Sequence, residues 1–196
     1  LWLEVGDGCR SLHHFARTYE LRSGDDRLAR QAKFLTFATP RKLAHDAEQF
    51  RYLGARRRDR ARFDALARAY EVVAQDFPEP PTALSPSQRE LLGDDYNTAI
   101  AIADAPELAD GAVAGRADAE ELTRQFQAGA AGAVSFDDLL TPRALAALRR
   151  FLLESTVWHD FSHIGGFVAS FLQDGLACPP GFQIADENRS AFPGLL

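Results

Sequence analysis

Between Leu43 and Val73 an apolar residue returns every third or fourth position in two successive runs, separated by an arginine-rich break. Leu43, Ala47, Phe50 and Leu53 make the first run, and Phe63, Leu66, Ala67, Tyr70 and Val73 the second. That period belongs to a helix with one buried face, so the sequence predicts two amphipathic helices packed on each other. Thr39-Pro40 supplies an N-cap and a first-turn proline for the first helix, and Gly54 a C-cap before the turn Ala55-Arg56-Arg57-Arg58-Asp59-Arg60. Pro78, Pro80 and Pro81 end the second helix. Leu12, Phe15, Ala16 and Tyr19 carry the same spacing upstream, so residues 1–77 read as a helical region with a helical hairpin.

Residues 78–132 are less regular and read as a linker-like middle. Ser85-Pro86-Ser87-Gln88 opens a short helix with good capping chemistry, Tyr96–Ala103 is a strand or an irregular packed segment, and a further short helix is predicted near Ala119–Gln127. In residues 133–196 the character changes again. Ala133–Phe136 reads as a strand, and Thr141-Pro142 starts a helix to about Glu154 whose buried stripe is Leu145, Leu148, Phe151 and Leu152. Ser155–Phe161 and Phe167–Leu172 read as two strands about a Gly165-Gly166 turn, and Pro179-Pro180 opens a last helix to about Phe192. The expected fold class is α+β and predominantly α.

A formal net charge of −6 over 196 residues disfavours a general nucleic-acid binder, which needs a basic field. Lys33 and Lys42 are the only lysines, and the arginine bias is that of high-GC bacterial coding. No apolar run approaches the length of a membrane span, and the start shows no basic region followed by an apolar stretch, so no signal peptide is expected from these residues. Cys9 and Cys178 have no zinc-binding spacing; a disulfide stays open, with two reduced thiols in a cytoplasmic protein as the expectation. A chain without methionine that starts at Leu1 and stops at Pro193-Gly194-Leu195-Leu196 is expected to be a piece of a longer protein.

The densest chemistry is Trp158-His159-Asp160-Phe161-Ser162-His163. On a strand His159 and His163 share a face while Asp160 points away, which makes the two histidines the metal candidates. The spacing nevertheless fits neither the H-E-x-x-H zinc helix nor the His-x-Asp of an iron facial triad, so two polar positions on a partly exposed strand is the plainer reading. His13-His14 diverge on a helix, and His45-Asp46 reads as an exposed local pair. Arg56 to Arg62 reads as a solvated turn, and Asp137-Asp138 as acidic capping of the coming helix. No G-x-S-x-G and no phosphate loop occurs. No catalytic residue, cofactor-binding residue or metal ligand is therefore assigned to this chain.

The segment Val134-Ser135-Phe136-Asp137-Asp138-Leu139-Leu140-Thr141-Pro142-Arg143-Ala144-Leu145 resembles the opening strand and first helix of iron(II)/2-oxoglutarate-dependent dioxygenases. Leu153–Trp158, Gly165-Gly166-Phe167, Asp174–Pro179 and Gln183–Glu187 are similar to a bacterial group of such proteins, in which a helical region precedes the oxygenase domain; Thr39–Leu53 resembles that group's upstream helix. The resemblance implies a parent protein that binds iron(II) and 2-oxoglutarate in a jelly-roll domain beyond this chain, with its His-x-Asp, distal His and basic residue none of them among these 196 positions. It implies that the chain packs against that missing C-terminal catalytic domain and is inactive alone. The other reading is a non-enzymatic helical interaction module that takes a protein partner through the hairpin and its arginine turn. Neither reading calls for nucleic acid or a membrane.

Overall fold

Thr39 and Pro40 begin the first helix as their chemistry dictates. The structure, a computed structural model, describes residues 14, 35–115, 117–129, 133–163 and 167–194. The helix read around Leu12 to Tyr19, Cys9, His13 and the Gly165-Gly166 turn lie outside the described residues. The described fold is mixed α+β and mostly helical, with six α-helices and one two-stranded sheet. It forms two compact units, each drawn from separate stretches of chain: 35–103 with 151–176, and residue 14 with 104–150 and 177–194. The three-part division at 77 and 132 is one of sequence character, whereas these units are interleaved.

In the first unit, helix α1 (Pro40–Gly54) takes its N-cap from the Thr39 hydroxyl, which accepts from the Lys42 N–H at 3.2 Å. Helix α2 (Arg60–Ala74) returns against it. Leu43, Ala47, Phe50 and Leu53 meet Phe63, Ala67, Tyr70 and Val73 in one core, with the Tyr70 ring edge-on to Phe50 at 5.0 Å. Gly54 is not the cap; it is the last helical residue, and Ala55 caps in a right-handed conformation. A Cβ at Gly54 would stand 3.1 Å from Asp64 Oδ1 and 3.4 Å from Phe63 Cβ, so the missing side chain is what lets α2 approach.

The helical reading of residues 1–77 is interrupted by a strand. Strand β1 (Phe37–Ala38) pairs antiparallel with β2 (Thr82–Ala83), Phe37 opposite Ala83. The prolines after α2 forbid further helix, and the extended chain doubles back to bury Ala38 and Leu84 in the hairpin core. Helix α3 (Pro86–Leu92) starts with a full capping box: Ser85 Oγ accepts from Gln88 N, and Gln88 Oε1 accepts from Ser85 N.

Tyr96–Ala103 is irregular but packed. Two of its backbone amides are taken by side chains: Ala101 N donates to Thr156 Oγ1 and Ala103 N to Ser155 Oγ, both at 3.0 Å. These hydroxyls explain why the predicted strand Ser155–Phe161 is buried yet forms no ladder. The predicted strand Phe167–Leu172 likewise reduces to one antiparallel bridge, Ala169 with Asp160, and Leu172–Asp174 is a 3₁₀ turn.

In the second unit, helices α4 (Ala119–Ala128), α5 (Pro142–Glu154, its residues from 151 on counting with the first unit) and α6 (Pro179–Ala191) carry the structure. Thr141 caps α5 through its hydroxyl to Ala144 N, at 3.1 Å. Of the expected stripe of α5, Phe151 is buried and Leu148 and Leu152 are half-buried, but Leu145 is 49% exposed and Ala144 is buried in its place. Small Ala144 packs on Leu108 and Ala112, a contact that apolar periodicity alone does not show. The predicted strand Ala133–Phe136 makes no ladder; Val113 bridges Leu140 instead.

The side chains of α6 hold the 108–113 loop. Glu187 Oε2 accepts from Ala112 N and Val113 N, both at 2.7 Å, and Gln183 bonds both backbone groups of Leu108. Partial burial raises the Glu187 pKa, but the two amides and Gln183 together outweigh it and hold the carboxyl below its ordinary value. A lowered folded pKa stabilises the fold above the unfolded value and loses that contribution as pH falls through the folded one. The stability of the chain is thus expected to fall with acid below about pH 4.5, and Glu187→Gln to flatten that limb. Urea midpoints across pH 3–6 that decline identically in both proteins would remove this role.

Candidate functional site

Helix α1 buries a charged pair beside its apolar stripe. Lys42 and Asp46 stand one turn apart, so their side chains share a face, and they are 2% and 6% exposed. The Lys42 ammonium donates to Asp46 Oδ2, while Asp46 Oδ1 lies 3.0 Å from His45 Nδ1. His45-Asp46 is therefore not the exposed pair the sequence suggested, because Asp46 faces inward. Around the pair stand Tyr70, Asn97, Thr156 and His159, enclosing a cavity of about 10 Å³. That volume is the room of one water molecule and too small for a substrate.

The rest of this cluster is rigidly tied. Asn97 Nδ2 donates to His159 O at 3.0 Å and Asn97 Oδ1 lies 3.2 Å from His159 Nδ1. With the amide nitrogen committed to a carbonyl, the amide oxygen must accept, which places the ring proton on Nδ1. Asn97 holds a left-handed φ of 54°, a conformation asparagine tolerates better than most residues. Burial pushes the phenols of Tyr70 and Tyr96 above their ordinary value, and the nearby Asp46 carboxylate adds to both shifts. Tyr96 Oη donates to Phe37 O at 2.7 Å.

His159 and His163 have different surroundings. His159 is buried against Asn97, whereas His163 is exposed with its Nε2 3.5 Å from Asp160 Oδ2. Asp160, read as pointing away, turns back to accept from Ser162 N and Oγ, both at 2.7 Å. Among the described residues no group of three His, Cys, Asp or Glu side chains is arranged to hold a metal ion. Burial raises the Cys178 thiol pKa, which keeps it protonated and unlike a reactive thiolate. The arginine turn is partly tied within the fold: Arg56 lies over the Tyr52 ring, and Arg62 pairs with Asp95 at 2.7 Å. Asp138 takes a left-handed φ of 57°, and the helix that follows is capped by Thr141.

A larger cleft lies beside the cluster, on the outer face of α1. About 330 Å³ in volume, it is lined by His45, Glu48, Gln49 and Tyr52 from α1 and by Leu152, Leu153 and Trp158 opposite. Gln49 Nε2 donates to Leu153 O and Ser155 O, tying the two walls together. The sequence reading missed both the cluster and the cleft. The one available signal was Lys42 itself, a lysine four residues before an acid in a chain whose basic residues are almost all arginine. Among the described residues no helix is long and apolar enough to cross a membrane. Comparison with known protein families, with curated proteins and with solved structures finds no match to this chain.

Proposed function

We propose that this chain is the supporting N-terminal part of an iron(II)/2-oxoglutarate-dependent dioxygenase-like protein and that it docks a catalytic jelly-roll domain through Asp160 and residues 167–171. The observation that carries the reading is the lone Asp160–Ala169 bridge, with Phe167 71% and Phe171 45% exposed beside it. A single bridge is too little pairing to stand alone in water, and two outward aromatics on one short extended segment are the composition of a covered interface. The residue patterns at 134–145 and 153–187 point to the same family. Iron does not fit the residues present: the chain has no His-x-Asp, and its described side chains form no ligand triad. Metal and 2-oxoglutarate accordingly belong to the parent's other domain, and the hydroxylated substrate is set there.

Coding sequence downstream of Leu196 is expected to supply His-x-Asp and a later His, and the extended protein to convert 2-oxoglutarate to succinate with iron(II). In that protein Phe167→Ser with Phe171→Ser is expected to lower turnover about tenfold or more, the scale of losing interface anchors. Unchanged turnover, or a downstream sequence without those ligands, would leave the second reading. That reading is a helical interaction module, and it is favoured by the self-contained α1–α2 core with Arg58 and Arg60 exposed at its turn.

A further inference from the structure

We infer that the cleft between α1 and the 152–158 segment is a binding site for a small organic cation, a guanidinium or ammonium carried on a short apolar stem. The inference does not depend on the docking reading above, because it uses neither Phe167 nor Phe171. Its volume of about 330 Å³ suits a side-chain-sized ligand.

The walls select the ligand's chemistry. Leu152 and Leu153 form an apolar side, with Leu153 41% exposed. The Trp158 indole spends its only polar atom on Leu152 O, at 3.1 Å. What the ring has left to offer a ligand is its π system, which attracts cations. The protein already does this next door: the Arg56 guanidinium lies 3.6 Å from the centroid of Tyr52, itself a residue of the cleft wall. Among the described residues Glu48 is the only formally charged side chain of fixed sign lining the cleft, and no hydrogen bond or ion pair engages it. It excludes anions and gives a bound cation its counter-charge. His45 stands edge-on to Trp158 at 6.0 Å and fixes the ring from the α1 side. With Gln49 holding both walls, the cleft is formed before a ligand arrives.

The test uses n-butylguanidinium and its neutral isostere n-butylurea on the 196-residue chain, read from the indole N–H signals in proton–nitrogen correlation spectra. The chain has two tryptophans, Trp2 and Trp158, and Trp158→Phe assigns the signal. Butylguanidinium is expected to shift the Trp158 signal saturably and to bind about tenfold tighter than butylurea, the worth of one cation–π contact plus one counter-charge. Glu48→Gln, at an exposed helix position that keeps the fold, is expected to cut that difference to about threefold, the share left by the cation–π contact, while leaving butylurea unaffected. A blocked Gly-Arg-Gly peptide binding tighter than butylguanidinium assigns the cation to a protein side chain; equal binding assigns it to a free small molecule. Equal affinity for the charged and neutral probes, no Trp158 shift, or a Glu48→Gln protein that prefers the cation as strongly as the parent would overturn the inference.

Discussion

Lys42→Met is expected to destabilise the fold by about 3–5 kcal/mol, the cost of leaving one member of a buried ion pair behind. Lys42 and Asp46 are both nearly inaccessible. With the ammonium gone, the Asp46 carboxylate keeps the His45 ring at 3.0 Å but loses its charge partner in a site with room for a single water. Two buried phenols, Tyr70 and Tyr96, stand near the same carboxylate and cannot neutralise it. The double variant Lys42→Met with Asp46→Leu is the informative control. It removes both charges and fills their space with apolar atoms, so its stability is expected to return to within about 1 kcal/mol of the parent. Equilibrium urea unfolding of the three proteins checks this. A single variant as stable as the parent would mean that water reaches Asp46 and that the pair is not a closed one.

The second large effect falls on Phe50→Ala, expected to cost about 3–5 kcal/mol. Phe50 is 4% exposed, lies edge-on to Tyr70 at 5.0 Å and tilted on Phe63 at 6.3 Å, and so joins the two helices of the hairpin at its middle. Removing the ring leaves a cavity that neither neighbour can collapse into without losing its own packing. Val72→Ala on the opposite surface of α2, where Val72 is 61% exposed, is expected to change stability by no more than about 0.5 kcal/mol. The pair of variants separates loss of core from loss of apolar character in general. Similar urea midpoints for both would show that the hairpin is held by something other than this aromatic contact.

These two residues also show where sequence reasoning succeeds. Phe50 announces itself by helical spacing, because the 3.6-residue period is a local property and needs no knowledge of what the helix meets. Lys42 does not. A charged residue beside an apolar stripe is normally at the edge of a solvated face, and only the arrival of residues 95–98 and 156–159 turns that edge into an interior. The cleft escaped for the same reason, since Glu48 and Trp158 are more than a hundred residues apart in the chain.

The sequence by itself determined the helices and their starts: Thr39-Pro40, Ser85-Pro86 and Thr141-Pro142 act on the amides of the next turn, so their effect is complete within four residues. It could not determine the fate of the β-prone stretches. Ser155–Phe161 and Phe167–Leu172 have strand composition, but a strand exists only when another backbone supplies its hydrogen bonds. Here the Ser155 and Thr156 hydroxyls took the amides of Ala101 and Ala103, leaving one backbone bond from Thr156 N to Ala101 O and a single bridge at Asp160 and Ala169. Only the tertiary structure decided this, as it decided which charges lie inside, because both depend on partners distant in the chain.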